Sequence, residues 1–241
     1  LTRSTELSVP LETGTAVTAL VYRSAEPSLD AALILAHGAG AGQRSAFMAG
    51  FAAALAASGI DTVTFDFPYM QERRRIPDRA PVLESCYRRV VAAVVDRLPS
   101  AQRALFIGGK SMGGRIATQI AAESVARPSE GRPDDVARPF KGRLRGIVLL
   151  GYPLHPPGRP EQRRDKHLPL IDCPLLFVQG SRDTFGTPQE LEPVLRSLKH
   201  QATLHVVDGG DHSFKVRQAA RQAAVYEEVQ QAIADWIRGR R

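Results

Sequence analysis

Apolar residues in this chain follow two rhythms that alternate along its length. Unbroken apolar runs such as Ala31-Ala32-Leu33-Ile34-Leu35-Ala36 read as strands buried on both faces. Between such runs, apolar residues recur every three or four positions, the period of an amphipathic helix, as in Leu83, Cys86, Val90, Val94 and Leu98. On this basis strands are expected at 5–9, 15–22, 31–36, 60–65, 104–107, 146–150, 175–179 and 203–207. Helices are expected at 45–57, about 83–98, 115–126, 188–199 and 216–237, the last with Ala220, Ala223, Val229, Ile233 and Trp236 near one face. Glu12-Thr13-Gly14 reads as a turn between the first two strands, and Ser58-Gly59 as the stop of the first helix. The arginine-rich stretch 71–81, broken by Pro77 and Pro81, is expected as a surface loop, and the Pro-, Gly- and Asp-rich stretch 123–143 as a long exposed connection.

Strands alternating with helices imply an α/β fold: a mainly parallel sheet of about seven to eight strands, covered by helices on both faces. The whole chain, 1–241, is expected as a single domain. In such a sheet the loops at the carboxyl ends of the strands build the site. The stretch 154–170, where a lid domain would be inserted, is too short for one.

One strand-to-helix junction carries a chemical motif, Gly109-Lys110-Ser111-Met112-Gly113, which is G-x-S-x-G. A serine at so tight a turn has its hydroxyl raised above the sheet edge, and flanking glycines remove the Cβ atoms that the bend would bring into collision. The Met112 N–H would then lie at a helix N-terminus, able to donate to a developing oxyanion. Gly109-Lys110-Ser111 also resembles the end of a phosphate-binding P-loop. That motif needs a glycine at 104, where the chain has Ala104, and Leu105-Phe106-Ile107 reads as buried strand instead.

A serine hydroxyl needs a base to attack a carbonyl at neutral pH, and the base needs an orienting acid. Two later loops follow strands and supply them: Gly180-Ser181-Arg182-Asp183 and Asp208-Gly209-Gly210-Asp211-His212. Ser111, Asp183 and His212, in that chain order, are the expected catalytic residues. Asp208 and Asp211 flank the histidine, and Asp211 is expected to cap the last helix. The glycine loop His37-Gly38-Ala39-Gly40-Ala41-Gly42 is expected to give the second oxyanion donor through the Ala39 N–H, with Gly38 and Gly40 as alternatives. His37 is expected to orient that loop through hydrogen bonds. His37, Tyr69, Lys110 and His155, all on strand-end loops, are candidates to touch substrate. His167, His200 and His205 carry no signal.

The charge adds one point. Lys and Arg exceed Asp and Glu to leave a net +7, but the basic residues are dispersed and no aromatic residues interleave with them. A nucleic-acid partner is therefore not expected, and a small-molecule substrate is; Arg73, Arg74, Arg75 and Arg79 read first as a solvated basic loop, with the alternative that one or more of them reaches the cleft rim and binds an anionic substrate. Two cysteines, Cys86 and Cys173, make neither a disulfide framework nor a metal site, and no metal or cofactor is expected. No apolar stretch approaches the ~18 residues of a membrane helix, and residues 1–10 are polar, so a cytoplasmic location is expected.

The loops His37-Gly38-Ala39-Gly40, Phe65-Asp66-Phe67-Pro68-Tyr69-Met70, Gly109-Lys110-Ser111-Met112-Gly113-Gly114, Gly151-Tyr152-Pro153-Leu154-His155-Pro156 and Asp211-His212-Ser213-Phe214 together resemble the α/β-hydrolase superfamily over nearly the whole chain. Within it they resemble a branch of hydrolases similar to dienelactone hydrolases, itself related to a subunit of a eukaryotic chromatin-modifying complex. The resemblance implies a Ser111 nucleophile, an Asp183 acid and a His212 base. Dienelactone hydrolases carry a cysteine where this chain has Ser111. The expected activity is serine hydrolysis of a small ester or related acyl bond, with a non-catalytic scaffold and a peptidase of the same fold as alternatives.

Overall fold

The computed structural model describes residues 4–126, 140, 144–198 and 201–241. Eight strands form one sheet: β1 (Ser4–Pro10), β2 (Ala16–Tyr22), β3 (Ala31–Ala36), β4 (Ile60–Phe65), β5 (Leu105–Lys110), β6 (Leu144–Leu150), β7 (Leu175–Gly180) and β8 (Ala202–Val207). Their spatial order is β1-β2-β4-β3-β5-β6-β7-β8. The pairs from β4 to β8 are all parallel, while β1 and β2 form an antiparallel hairpin added at the β4 edge.

The unbroken apolar runs have a simple origin. Successive side chains of a strand point to opposite faces, and both faces of this sheet are covered. Ala32, Ile34, Ala36, Ile107, Leu149 and Phe177 enter one core, against α3 (Ala80–Arg97), α5 (Met112–Ala126) and α6 (Pro188–Arg196). Leu33, Leu35, Phe106, Val148, Leu150 and Val178 enter the other, against α1 (Ala46–Ala57) and α7 (Gln222–Arg238). On α3 the expected apolar stripe is buried, and Tyr87 on it reaches through to the sheet, where its hydroxyl bonds the backbone of Gly108.

Several boundaries differ from the expectation for identifiable reasons. The short helices α2 (Pro68–Gln71) and α4 (Pro99–Arg103) were hidden because each is only about one turn, too short to show a period; each starts with a proline at its first position, where no N–H is needed. The last helix begins at Gln222 after a 3₁₀ turn, Ala219–Arg221, rather than near 216. Asp211 therefore does not cap it; its carboxylate accepts from Ser213 N and Lys215 N and closes a turn instead. The helix expected at 188–199 ends at Arg196, and the expected connection over 123–143 begins inside α5, which runs to Ala126; most of the remainder lies outside the described residues. Between β6 and β7 the only helical element is the 3₁₀ turn Leu168–Leu170, so no lid domain is present there. Among the described residues, no helix is long and apolar enough to cross a membrane.

The 3₁₀ turn is anchored to α5 by His167. The Thr118 hydroxyl donates to Arg115 O, so His167 Nε2–H is the donor in its 2.8 Å bond to Thr118 Oγ1. Burial, and secondarily the Arg115 charge, push the imidazole down from its ordinary 6.5 to about 4, against a smaller opposing pull from Asp165. Folding is thus coupled to keeping this ring neutral. The stability it contributes is fully present above pH 6.5 and is lost as pH falls toward about 4, where the unfolded chain binds a proton and the folded chain does not. His167→Gln keeps an amide donor for Thr118 but cannot titrate. Its urea midpoint should fall less than that of the parent between pH 7 and pH 4.5; equal falls would contradict the assignment.

Candidate active site

The site is built on the turn between β5 and α5. Ser111 lies at that turn with φ at +50°, a left-handed conformation that a side-chain-bearing residue adopts only when its surroundings enforce it. Here the enforcement is close packing against β3. A Cβ placed on Gly109 would stand 2.4 Å from Ala36 O, and one on Gly113 would stand 2.3 Å from the same atom. The Ser111 N–H donates to Leu150 O at 2.9 Å, which ties the turn to β6 as well.

Ser111 Oγ and His212 Nε2 are 2.8 Å apart, and His212 Nδ1 is 2.8 Å from Asp183 Oδ2. An ionised carboxylate only accepts, so Nδ1 carries the proton and Nε2 is left to accept from the Ser111 hydroxyl. Asp183 is fully buried, yet its oxygens are satisfied. Oδ1 accepts from Phe185 N at 2.9 Å, and Oδ2 accepts from Gln179 Nε2 at 2.8 Å besides the imidazole. The Phe185 ring stacks on His212 with centroids 4.1 Å apart. Lys110 Nζ donates to His212 O at 2.6 Å and so holds the backbone of the histidine loop. Burial depresses the Lys110 ammonium to about 8, with Asp183 and Asp211 opposing the shift.

The glycine loop is held from behind. Phe67 N–H donates to His37 Nε2 at 3.0 Å, which leaves Nδ1–H to donate to Gly38 O at 2.7 Å. Burial lowers the His37 imidazole below its ordinary range, more than its Gly38 bond and Asp66 raise it. Because a peptide is planar and trans, the Ala39 N–H points away from the carbonyl that His37 holds. Tyr69 Oη–H donates to Ala39 O at 3.0 Å and fixes the next peptide, and burial raises this phenol to about 12. Neither Ala39 N nor Met112 N has a protein acceptor among the described residues.

In front of Ser111 lies a cavity of about 590 Å³. Ala39, Met112, Lys110 and His212 line it, together with Phe47, Met48, Leu83, Pro153 and Phe185. Of the four residues expected to touch substrate, only Lys110 is on its wall. His37 and Tyr69 are fully buried behind the glycine loop. His155 is buried between Pro156 O and the Glu190 carboxylate, at 2.9 and 3.2 Å, and its N–H bonds Phe185 O, so it braces the Asp183 loop. The arginines of 73–79 do not line the cavity either. Arg74 is engaged by Glu72 and Asp78, and this loop contributes Pro77 and Asp78 to the wall. The cationic side chains that do line it are Lys110, Arg115 and Arg164.

Sequence reasoning missed Gln179, although it stands as the one polar side chain in the apolar run Leu175-Leu176-Phe177-Val178 and its continuation. Its amide bonds Asp183, Gly186 O and both backbone groups of Tyr152. Among the described residues, no cluster of His, Cys, Asp or Glu could hold a metal ion.

Comparison with solved structures finds the same architecture. An alpha-beta serine hydrolase homologue from Coxiella burnetii superposes with a TM-score of 0.71 at 14% identity, covering 96% of each chain. A serine hydrolase without lid from Xanthomonas campestris gives 0.70 at 18% identity, over 98% of this chain and 96% of that one. A dienelactone hydrolase from Anabaena variabilis gives 0.68 at 19% identity, over 97% and 96%. The family model for the alpha/beta hydrolase domain matches residues 29–238, and the chain belongs to that family.

Proposed function

We propose that this protein is a serine hydrolase that cleaves a small ester or related acyl bond through an acyl-enzyme. The observation that carries the reading is the continuous hydrogen-bond chain from Ser111 Oγ through His212 to the buried Asp183, with both links at 2.8 Å. Ser111 Oγ attacks the substrate carbonyl as its proton passes to His212 Nε2. Asp183 keeps the imidazole in the tautomer that accepts there and stabilises the imidazolium that results. The negative charge on the carbonyl oxygen is met by the N–H groups of Met112 and Ala39, one at the start of α5 and one on the loop that His37 and Tyr69 brace. Collapse of the tetrahedral adduct breaks the C–O bond, and His212 returns its proton to the departing alkoxide. Water then attacks the acyl group with His212 again as base, which regenerates Ser111 and releases the acid. No metal or organic cofactor enters these steps.

A fluorophosphonate probe should label the protein at Ser111 and leave Ser111→Ala unlabelled. His212→Ala should lower kcat on 4-nitrophenyl acetate by about four orders of magnitude or more, as in other triads. Labelling at another serine would overturn the triad assignment, and no labelling of folded protein would favour a non-catalytic scaffold.

The cavity and the lack of a lid insertion bear on substrate size. A cleft of about 590 Å³ without a lid domain cannot enclose a long acyl chain away from water. Acetate and butyrate esters should give higher kcat/KM than palmitate, with no interfacial activation. A preference for palmitate would overturn this part of the reading.

A further inference from the structure

The cleft holds two guanidinium groups to which no acid is bonded among the described residues. Arg115 and Arg164 both line the cavity beside Ser111, and both are half-buried. Neither guanidinium has a hydrogen bond or ion pair among the described residues. Of the carboxylates near them, Asp78 and Asp165 are bonded by other arginines, and Glu84 feels the Arg115 charge without bonding it. Asp78, on the cavity wall, accepts from Arg74 at 2.8 Å and from Tyr69 N at 2.9 Å. Glu84 faces Arg88 at 3.9 Å, and Asp165 is bound by Arg163 at 2.6 Å.

Both arginines are also rooted in rigid backbone. Arg115 stands one helical turn beyond the nucleophile, its N–H bonded to Ser111 O at 3.1 Å. The amide of Arg164 donates to Leu154 O at 2.8 Å and its carbonyl accepts from Tyr152 Oη at 2.6 Å, so the residue is held at both ends. The two charges repel: burial, and next the Arg115 charge, lower the Arg164 guanidinium from its ordinary value. Two like charges on the wall of one cleft, with no acid bonded to either, make the binding of an anion there favourable. A carboxylate suits such a pair, since the planar guanidinium fork grips both of its oxygens and stays charged at any working pH.

We propose that Arg115 and Arg164 form a carboxylate-binding subsite next to Ser111, so that the preferred ester carries a second, free carboxylate. This rests on the serine hydrolase reading and names the substrate class for it. The subsite orients the ester as well as attracting it, because a carboxylate gripped on the wall beside α5 fixes where the scissile carbonyl can lie.

The test is the ratio of kcat/KM for 4-nitrophenyl hydrogen adipate to that for its neutral methyl ester. In the parent protein at low ionic strength the anionic ester should be favoured by about tenfold or more, the scale of a charge-assisted hydrogen bond. The ratio should fall toward one in Arg115→Gln and Arg164→Gln, and should fall as sodium chloride is added. Arg73→Gln and Arg75→Gln, in the surface loop, should leave it where it was. A parent ratio near one, with both esters hydrolysed, overturns the subsite and spares the hydrolase reading. A ratio that follows Arg73 or Arg75 instead also overturns it. If neither ester is hydrolysed the hydrolase reading fails, and calorimetric titration of the Ser111→Ala protein with adipate then decides the subsite alone. Binding that is weakened by salt and by Arg164→Gln supports it, and no binding overturns it.

Discussion

The close approach of the β5–α5 turn to the Ala36 carbonyl is the constraint on which the rest of the site depends. Two chain segments meet there with no room for a Cβ at either Gly109 or Gly113. The contact forces Ser111 into a left-handed conformation, and that conformation lifts Oγ to the level of His212. It also brings the first amide of α5 up beside the glycine loop that follows β3. The strain of a left-handed serine, of order 1–3 kcal/mol, is borne by the sheet on both sides of β5. Because β5 lies in the middle of the sheet, both of its neighbours are parallel strands whose ladders hold it in register.

What positions the remaining groups is a set of buried polar groups, of which Lys110 also reaches the cavity wall. Gln179 and the Phe185 backbone amide give hydrogen bonds to the fully buried Asp183 carboxylate, so its oxygens are not left without partners. His37 and Tyr69 hold the two carbonyls that flank Ala39, and so set the direction of its N–H. Lys110 holds the carbonyl of His212. Each of these is a hydrogen bond from a side chain to the backbone or to a second side chain at a strand end. The order of the strand ends in the sheet, rather than their order in the chain, brings these groups together.

The sequence made the site's chemistry readable where it was local. G-x-S-x-G between an apolar run and a helical period names Ser111 from a handful of adjacent letters, and Asp183 and His212 follow because each closes a strand. Direction in irregular loops was not readable. His37 and His155 lie in strand-end loops as expected, and Tyr69 in the short helix α2 after β4, yet nothing in their spacing says that their rings turn into the protein rather than the cleft. Periodicity fixes which face a residue occupies only within a helix or strand. For the same reason the arginines of 73–79 looked like cleft residues, while Arg115, which the helical period hides among ordinary surface positions of α5, reaches the cavity together with Arg164. Gln179 was overlooked because a buried polar residue in a strand announces a need for partners without naming them.

The excess of basic residues bears on function through where the charge is left over, not through its total. Some of the arginines near the cleft are neutralised within a few residues: Arg74 by Glu72 and Asp78, Arg163 by Asp165. Such pairs cancel at any distance beyond their own separation and contribute little field at Ser111. Arg115 and Arg164 have no such partner on the cavity wall. On the proposed serine hydrolase reading, the field they leave favours negative charge on the substrate side, on the oxyanion and on any acid that the ester carries. At His212 the nearest charge is Asp183, 2.8 Å away, and the arginines make no bond to the ring. Coulomb energy falls with separation, so the contact pair outweighs them there, and the positive wall is left to bear on the substrate.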